Sequence, residues 1–290
     1  MKITGKTRIT GIFGWPVRHT LSPAMQNAAF EKLKINAVYL PFEVRPDRIK
    51  DAINSLFSLG ISGVNLTMPY KEICLPYLND VSKEAKLIGA VNTIAVNEDG
   101  RLKGYNTDGI GFVAALKRQL RIDPKGRSVF ILGAGGAGKA VAIQLALEGA
   151  RHIFIADIQK NRAQKLVINL RRNVHHLRVK AVPCVGKEIE RAIADTDILI
   201  NATPMGMKES DSMIFDLHAL HNKIVVCDLI YSPPMTKLLK IAKQKKLRYM
   251  NGLGMLLYQG ATAFGLWTQK QAPVDVMQKA LEKEIASSKH

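Results

Sequence analysis

A glycine-rich segment between a predicted strand and a predicted helix places the strongest constraint on the fold of this 290-residue chain. The segment GAGGAGK spans residues 133–139, after the apolar run Ser128–Leu132 and before the helical pattern Ala140–Glu148. Glycines at such a junction permit a tight turn and let backbone N–H groups approach phosphate oxygens at the start of a helix. The context favours a dinucleotide-binding βαβ unit, with a tight turn that binds no ligand as the alternative.

An acidic residue follows the next predicted strand, Ile153–Ala156. Asp157 comes 24 residues after Gly133, where a carboxylate hydrogen-bonds an adenosine ribose and repels a 2′-phosphate. Lys160 and Arg162 follow closely, and either cation can approach a phosphate at the same place. The pattern therefore favours NAD over NADP, with a simple turn between strand and helix as the alternative role of Asp157.

The first part of the chain alternates between strand and helix patterns. Strands Arg8–Phe13, Val38–Glu43 and Gly63–Thr67 are separated by a helix that starts at Ser22-Pro23 and a helix over Pro46–Leu59. This alternation predicts a parallel sheet. A hairpin at one edge of the sheet is predicted over Ala90–Val96 and Leu102–Tyr105.

A second α/β unit begins near residue 110, within a predicted helix over Asn106–Leu120. It contains further predicted strands at Ile153–Ala156, Ala181–Val182, Ile198–Asn201 and Ile224–Asp228. Two helices, Met255–Trp267 and Val274–Ala286, close the chain without another strand. The pattern predicts two α/β domains followed by a helical tail.

Composition excludes several classes of protein. Apolar residues make up 47% of the chain, which suffices for two cores. The cysteines Cys74, Cys184 and Cys227 are too few and too scattered for a disulfide framework or a metal cluster. No segment has the length of apolar sequence that spans a bilayer, and the first ten residues lack the apolar run of a signal peptide. We expect a cytoplasmic protein without a metal and without a membrane partner.

The net charge of +18 raises the question of a nucleic-acid partner. The densest basic clusters lie at residues 171–180 and 243–248, and neither carries interleaved aromatic residues or a nucleic-acid-binding motif. Solvated helix faces and loops are the favoured interpretation, and such a positive field also attracts anionic metabolites and phosphates. We expect no nucleic-acid partner.

Eight short motifs occur along the chain in a fixed order. They are HTLSP at 19–23, NLTMPYK at 65–71, GAVNT at 89–93, NTDG at 106–109, GAGGAG at 133–138, NATPMGM at 201–207, DLIYSP at 228–233 and NGLGMLLYQGA at 251–261. In this order they resemble the shikimate dehydrogenases, including the quinate/shikimate dehydrogenases. The resemblance implies an N-terminal α/β substrate-binding domain (1–108), a Rossmann-like NAD(P)-binding domain (109–251) and C-terminal helices (252–290) that pack back on the first domain.

The resemblance also implies the roles of individual residues. Lys71 is similar to the family's catalytic acid/base, and Asp108 is similar to its partner, which also binds substrate. The other implied substrate contacts are Thr20, Ser22, Thr67, Asn92, Tyr231 and Gln259. The implied cofactor contacts are Gly133, Ala134, Gly135, Gly136, Ala137, Leu229 and Gly252, with Thr203 near the nicotinamide. The residue pattern after the strand Ile153–Ala156 adds Asp157 and Arg162 at the ribose end.

Two departures from the family pattern bear on the pocket and the cofactor. Thr20 replaces the first serine of the usual Ser-x-Ser pair, which keeps the hydroxyl and adds a methyl group. Asp157-Ile158-Gln159 replaces the Asn-Arg-Thr of NADP-dependent members, which favours NAD or a relaxed cofactor choice.

The resulting hypothesis is an NAD(P)-dependent shikimate dehydrogenase that acts on a small-molecule substrate as a monomer or homodimer. An NAD-linked quinate/shikimate dehydrogenase is the nearest alternative. A non-catalytic dinucleotide- or ligand-sensing protein is the alternative of another class, and retention of Lys71 and Asp108 speaks against it.

Overall fold

A computed structural model describes residues 3–184 and 187–287 of the chain, which divides into two compact units. The first unit runs to Gly111 and resumes at Leu256, and the second unit is Phe112–Met255. The divisions expected from the sequence lie a few residues earlier, after residues 108 and 251. Within the described ranges, no helix is long and apolar enough to cross a membrane.

A six-stranded mixed sheet organises the first unit. Its strands are β1 (Arg8–Gly14), β2 (Ala37–Glu43), β3 (Ile61–Leu66), β4 (Asp80–Val81), β5 (Thr93–Val96) and β6 (Leu102–Tyr105), in the order β2-β1-β3-β5-β6-β4. The parallel pairing of β1 with β2 and β3 confirms the predicted βαβ alternation, and β5 and β6 form the predicted antiparallel hairpin. The accompanying helices are α1 (Ser22–Lys32), α2 (Ile49–Asn54), α3 (Tyr70–Ile73) and α4 (Lys83–Ile88), and α5 (Asp108–Gln119) continues the chain into the second unit.

A six-stranded parallel sheet organises the second unit. Its strands are β7 (Ser128–Leu132), β8 (His152–Ala156), β9 (Arg178–Ala181), β10 (Ile198–Asn201), β11 (Val225–Asp228) and β12 (Tyr249–Met250). The helices between them are α6 (Gly136–Leu147), α7 (Lys160–Asn173), α8 (Lys187–Ala194) and α9 (Lys237–Gln244).

The strand order β12-β11-β10-β7-β8-β9 is that of a doubly wound dinucleotide-binding fold. The order reverses between β7 and β10, which pair in parallel. In such sheets, ligands bind outside the carboxyl ends of the strands at this reversal. The glycine-rich segment follows β7 and therefore lies at the expected place.

Two helices at the end of the chain complete the core of the first unit. They are α10 (Leu253–Thr268) and α11 (Val274–Ser287). Phe264, Trp267 and Met277 are buried in one cluster with Phe30 of α1. The indole N–H of Trp267 donates a hydrogen bond of 3.0 Å to the backbone oxygen of Ile94. The tail thus packs on the first unit, as the resemblance implies.

The predicted helix Pro46–Leu59 was wrong in its extent. A 3₁₀ turn occupies Pro46–Arg48, and the α-helix ends at Asn54. The hydroxyls of Ser55 and Ser58 donate to backbone oxygens within this segment. Serine side chains that bond to nearby backbone groups compete with continuation of a helix.

Three of the strands differ from the sequence-based prediction. The strand predicted at Ala181–Val182 lies instead at Arg178–Ala181. In this strand Val179 is buried between two exposed cationic residues. The two-residue strands β4 and β12 were not predicted. Two residues are too few to show the alternation from which a strand is recognised.

Gly138 and Gly135 of the glycine-rich segment differ in how closely they approach neighbouring backbone. Gly138 lies in the first turn of α6, and a Cβ added there would be 2.0 Å from the backbone oxygen of Gly133. A Cβ added to Gly135 would have no atom within 4 Å. Gly138 is therefore required for close packing of helix on loop, whereas Gly135 faces open space.

We expect Gly138→Ala to lower the free energy of unfolding by about 1–3 kcal/mol, because the added methyl displaces packed backbone. Gly135→Ala should change it by less than roughly 0.5 kcal/mol. Urea unfolding of both variants measures the difference. Since alanine is the better helix former, equal stability of the two variants would contradict the close approach at Gly138.

Candidate active site

Two charged side chains that are distant in sequence form an ion pair in the first unit. Lys71 Nζ lies 2.5 Å from Asp108 Oδ2. The Asp108 side chain is 6% exposed and that of Lys71 is 22% exposed. A carboxylate so far from water needs a charged or hydrogen-bonding partner, and the lysine supplies one while it keeps access to solvent.

The backbone holds Lys71 in place through a short helix. β3 ends at Leu66, and Pro69 immediately precedes α3, which begins at the next residue. Lys71 lies within this single turn of helix. Its backbone oxygen accepts a hydrogen bond of 2.7 Å from the N–H of Val91. This bond fixes α3 to the segment that leads into β5.

Asp108 is fixed to the same segment from the other side. It is the first residue of α5, and its N–H donates to Asn106 Oδ1 at 3.1 Å. Asn106 Nδ2 in turn donates to the backbone oxygen of Ala90 at 3.0 Å. The adjacent residues Ala90 and Val91 therefore anchor both members of the ion pair.

Asn92 links the second oxygen of the carboxylate to a buried polar network. Its Nδ2 donates to Asp108 Oδ1 at 2.8 Å and to Thr107 Oγ1 at 2.9 Å. Its Oδ1 accepts from the N–H of Thr107 at 2.8 Å and from Thr93 Oγ1 at 2.9 Å. Gln259 Oε1 lies 3.4 Å from both Asn92 Nδ2 and Thr107 Oγ1. The structure thus brings together Lys71, Asp108, Asn92 and Gln259.

Further polar contacts connect Ser22 with this network. The hydroxyl of Tyr39 donates to Asn65 Oδ1 at 2.7 Å, and Asn65 Nδ2 donates to Thr93 Oγ1 at 3.0 Å. Complete burial raises the pKa of Tyr39, and a hydrogen bond with the side chain of Ser22 partly opposes that rise. Ser22 is itself 3% exposed.

Sequence reasoning missed four residues of these networks, namely Tyr39, Asn65, Thr93 and Thr107. Three of them lie inside the motifs NLTMPYK, GAVNT and NTDG, so their position in a motif was the available signal. Tyr39 lies in a strand of otherwise apolar character and gave no such signal.

Thr20 and Thr67 lie on two other segments of the first unit. Thr20 Oγ1 accepts a hydrogen bond of 3.3 Å from the N–H of Ser22 at the start of α1. Thr67 is half-buried, four residues before Lys71, and its N–H donates to the backbone oxygen of Phe13. Its methyl group packs on Gly14, where a Cβ would lie 2.4 Å away.

The predicted cofactor residues of the second unit follow the carboxyl ends of five neighbouring strands. Gly133 follows β7, Asp157 follows β8, Thr203 lies just beyond β10, Leu229 follows β11 and Gly252 lies just beyond β12. Parallel strands end at the same edge of a sheet, which is where ligands of this fold bind. The structure therefore places these residues along one edge.

Asp157 closes the glycine-rich segment onto β8. Its Oδ2 accepts from the N–H of Ala134 at 2.8 Å, and its Oδ1 accepts from the N–H of Gln159 at 2.7 Å. These bonds give the carboxylate the turn-forming role that the sequence left open, and each oxygen keeps a further lone pair for a ligand. Arg162 lies in the first turn of α7 with its side chain exposed.

A buried carboxylate organises the loops after β10 and β11. Asp228 Oδ1 accepts from Asn201 Nδ2 at 3.0 Å and Oδ2 accepts from Thr236 Oγ1 at 2.7 Å. Burial raises the pKa of Asp228 to about 6, and these hydrogen bonds limit the rise. Asn201 Oδ1 accepts from the hydroxyl of Thr203 at 2.7 Å. The carboxylate thus fixes the loop that carries Thr203.

Leu229, Tyr231 and Gly252 lie on adjoining segments. The N–H of Gly252 donates to the backbone oxygen of Ile230 at 3.1 Å, and a Cβ on Gly252 would lie 2.0 Å from the backbone oxygen of Leu229. Burial raises the pKa of Tyr231. The phenol therefore stays neutral and can donate a hydrogen bond at neutral pH.

Models of protein families match three stretches of the chain in order. The substrate binding domain of shikimate dehydrogenase matches residues 12–94, the shikimate / quinate 5-dehydrogenase model matches residues 115–232, and the shikimate 5′-dehydrogenase C-terminal domain matches residues 252–282.

Individual relatives align along nearly the whole chain. The chain is 45% identical to shikimate dehydrogenase (NADP(+)) of Desulforamulus reducens, with 98% of each chain covered. A solved structure of shikimate 5-dehydrogenase from Listeria monocytogenes in complex with shikimate and NAD aligns with a TM-score of 0.91 at 38% identity, over 97% of this chain and 98% of that one. Quinate dehydrogenase from Corynebacterium glutamicum in complex with NAD aligns with a TM-score of 0.88 at 33% identity, over 96% and 99%. With this identity over its full length, the chain belongs to the shikimate dehydrogenase family.

Proposed function

We propose that this chain is a shikimate dehydrogenase, which catalyses the reversible NAD(P)-dependent reduction of 3-dehydroshikimate to shikimate in aromatic amino-acid biosynthesis. The observation that carries the proposal is the ion pair of Lys71 and Asp108, with 2.5 Å between Nζ and Oδ2, in the unit that matches the family's substrate binding domain. The relative from D. reducens, 45% identical over 98% of this chain, bears the same name.

Lys71 acts as the acid in the reductive direction. A bound nicotinamide cofactor supplies the hydride that reduces the ketone. The ammonium group of Lys71 delivers a proton to the ketone oxygen, and in the oxidative direction the neutral amine removes it. The lysine side chain is 22% exposed, so that a substrate can reach its Nζ from the solvent side.

Asp108 holds the lysine and does not itself transfer the proton. One carboxylate oxygen binds Lys71 and the other binds Asn92. The carboxylate cannot rotate without losing one of these charge-assisted bonds, which are stronger than bonds between neutral groups. This arrangement keeps the Lys71 ammonium in one position between turnovers.

The substrate offers a carboxylate and several ring hydroxyls. Hydroxyl donors such as Thr20, Ser22 and Tyr231 suit the carboxylate, and the amide of Gln259 suits a ring hydroxyl. Asn92 already donates to Asp108 and Thr107, so its main role is to orient the carboxylate. Thr67 completes the proposed substrate contacts of the first unit.

The residues of the second unit fit the phosphates of a dinucleotide. Gly135 precedes α6 without a side-chain cap, and a Cβ at Gly135 would have no atom within 4 Å. The first N–H groups of a helix lack partners within the helix, and here Gly136 and Ala137 carry them. They face the edge of the sheet where the strand order reverses.

Cofactor choice depends on the end of β8. The Asp157 carboxylate suits the free ribose hydroxyls of NAD and repels the 2′-phosphate of NADP. Arg162, in the first turn of α7, offers an exposed guanidinium to that phosphate. We infer activity with both cofactors and a modest preference for NAD.

The same carboxylate supports an NAD-linked quinate/shikimate dehydrogenase as the second candidate. The relative from C. glutamicum is named quinate dehydrogenase and was solved with NAD. Values of kcat/KM for shikimate and quinate, each with NAD and NADP, separate the two candidates. A higher value for quinate with NAD would replace the first proposal by the second.

We expect Lys71→Ala to lower kcat by about 10²–10⁴-fold, because the proton donor is lost. The dissociation constant of the cofactor should stay unchanged, since the substitution lies in the other unit. Lys50→Ala, on the exposed face of α2, removes the same charge from the first unit and should keep full activity. Wild-type kcat in Lys71→Ala would contradict the assignment of the acid.

We expect Asp157→Asn to shift the ratio of kcat/KM for NADP over NAD upward by about tenfold, because one unit of negative charge is removed beside the ribose. Asparagine keeps an oxygen that can accept the N–H of Ala134, so the loop should stay closed. Asp195→Asn, at an exposed position of the same unit, is the matched control. An unchanged ratio would show that Asp157 serves the loop alone.

A further inference from the structure

A cavity in the second unit is lined largely by charged side chains. It has a volume of about 690 Å³. Five cationic residues line it, namely Arg121, Lys125, Arg127, Arg151 and Arg248. The two acidic residues on its wall are Asp123 and Asp197. The cavity therefore carries three positive charges in excess.

This cavity lies at the edge of the sheet opposite the glycine-rich segment. Arg127, Arg151, Asp197 and Arg248 each stand immediately before a strand, respectively β7, β8, β10 and β12. In a parallel sheet the amino ends of all strands share one edge. The residues that precede the strands thus bring together cations that are far apart in sequence. The proposed cofactor residues lie at the opposite edge of the sheet.

The carboxylates of the cavity are largely occupied by the protein itself. Asp197 Oδ2 accepts from the N–H of Ser128 at 2.8 Å, and its Oδ1 lies 3.6 Å from a guanidinium nitrogen of Arg127. Asp123 Oδ1 accepts from the N–H of Lys125 at 3.1 Å. Both carboxylates therefore have partners within the protein, and the excess of three positive charges remains.

Two of the cations are available to a ligand. Among the residues that the structure describes, neither the Arg121 guanidinium nor the Lys125 ammonium forms an ion pair, and both side chains are exposed. Within the described part of the chain, Arg151 and Arg248 donate to neutral oxygens, those of the Ser128 hydroxyl and the Leu120 backbone. Guanidinium groups held this way retain further N–H donors.

A concave site lined by one sign of charge concentrates counter-ions, and guanidinium groups bind phosphate through paired hydrogen bonds. We propose that this cavity binds an oligophosphate, either free or as the phosphate chain of a nucleotide. The excess of three positive charges matches a triphosphate better than a single phosphate, and the volume lies within the range of small-molecule sites. This binding is separate from that of the dinucleotide cofactor.

The test is calorimetric titration of the full chain with inorganic triphosphate and with ATP at constant ionic strength. The double variant Arg121→Asn/Lys125→Gln removes the two available cations. Asparagine suits position 121 because Arg121 has a φ of +52°, which asparagine tolerates. We expect the dissociation constant of triphosphate to rise by about tenfold or more in this variant.

The matched control is Arg172→Gln/Lys243→Gln, which removes two exposed cations outside the cavity. It should leave the dissociation constant within about twofold of the wild-type value. Equal affinities in all three proteins would overturn the proposal, because the anion would then bind elsewhere, for example at the start of α6. An equal loss in both variants would overturn it as well, since overall charge would then explain the binding.

Two further measurements complete the test. If the cavity variant fails to fold by circular dichroism, Arg248→Gln replaces it, with the same expectation and the same overturning result. If ATP and inorganic triphosphate bind with similar affinity, the ligand is the free phosphate chain. If ATP binds more tightly than triphosphate, the ligand is a nucleotide. Absence of saturable binding by either compound overturns the proposal.

Discussion

The ion pair of Lys71 with Asp108 depends on three consecutive residues immediately before β5. The N–H of Val91 fixes the backbone of Lys71, the backbone oxygen of Ala90 fixes Asn106, and the side chain of Asn92 fixes the carboxylate. A buried charge is expensive unless all its bonding positions are satisfied. This short segment supplies those bonds, and it fixes the positions of α3 and α5.

The second unit presents backbone N–H groups, rather than an ion pair, to its proposed ligand. Its sheet is parallel throughout and its central strands are buried, so side chains at the strand ends carry the chemistry. Asp157 and Asp228 close the loops after two strands through hydrogen bonds to backbone and side-chain groups. Loop geometry at this edge is therefore set by carboxylates that are themselves held by the protein.

Much of the fold could be predicted from the sequence, because strand and helix periodicities and the glycine-rich segment are local signals. The parallel pairing of β1 with β2 and β3 and the parallel sheet of the second unit agree with those predictions. The return of the tail to the first unit was implied by the family resemblance. Elements governed by local competition could not be predicted, such as the early end of α2, where the hydroxyls of Ser55 and Ser58 bond to the backbone. Strands of two residues, such as β12, show no period at all.

The candidate site was predictable in its residue types and not in its contacts. Lys71 and Asp108 were identified through their motifs, but their separation of 2.5 Å depends on segments that meet only in the folded chain. The supporting residues Tyr39 and Thr93 were missed because one resembles a core aromatic and the other a strand threonine. Their importance lies in hydrogen-bond partners, which sequence patterns do not display.

The packing of the C-terminal helices on the first unit has a consequence for biosynthesis. Phe30 of α1 shares its buried cluster with Phe264 and Met277, and Trp267 bonds to β5. The first unit therefore lacks part of its core until the last helices have left the ribosome, whereas the second unit is one continuous stretch, Phe112–Met255. Translation thus completes the middle of the chain before its beginning, which reverses the usual order in which the N-terminal domain folds first.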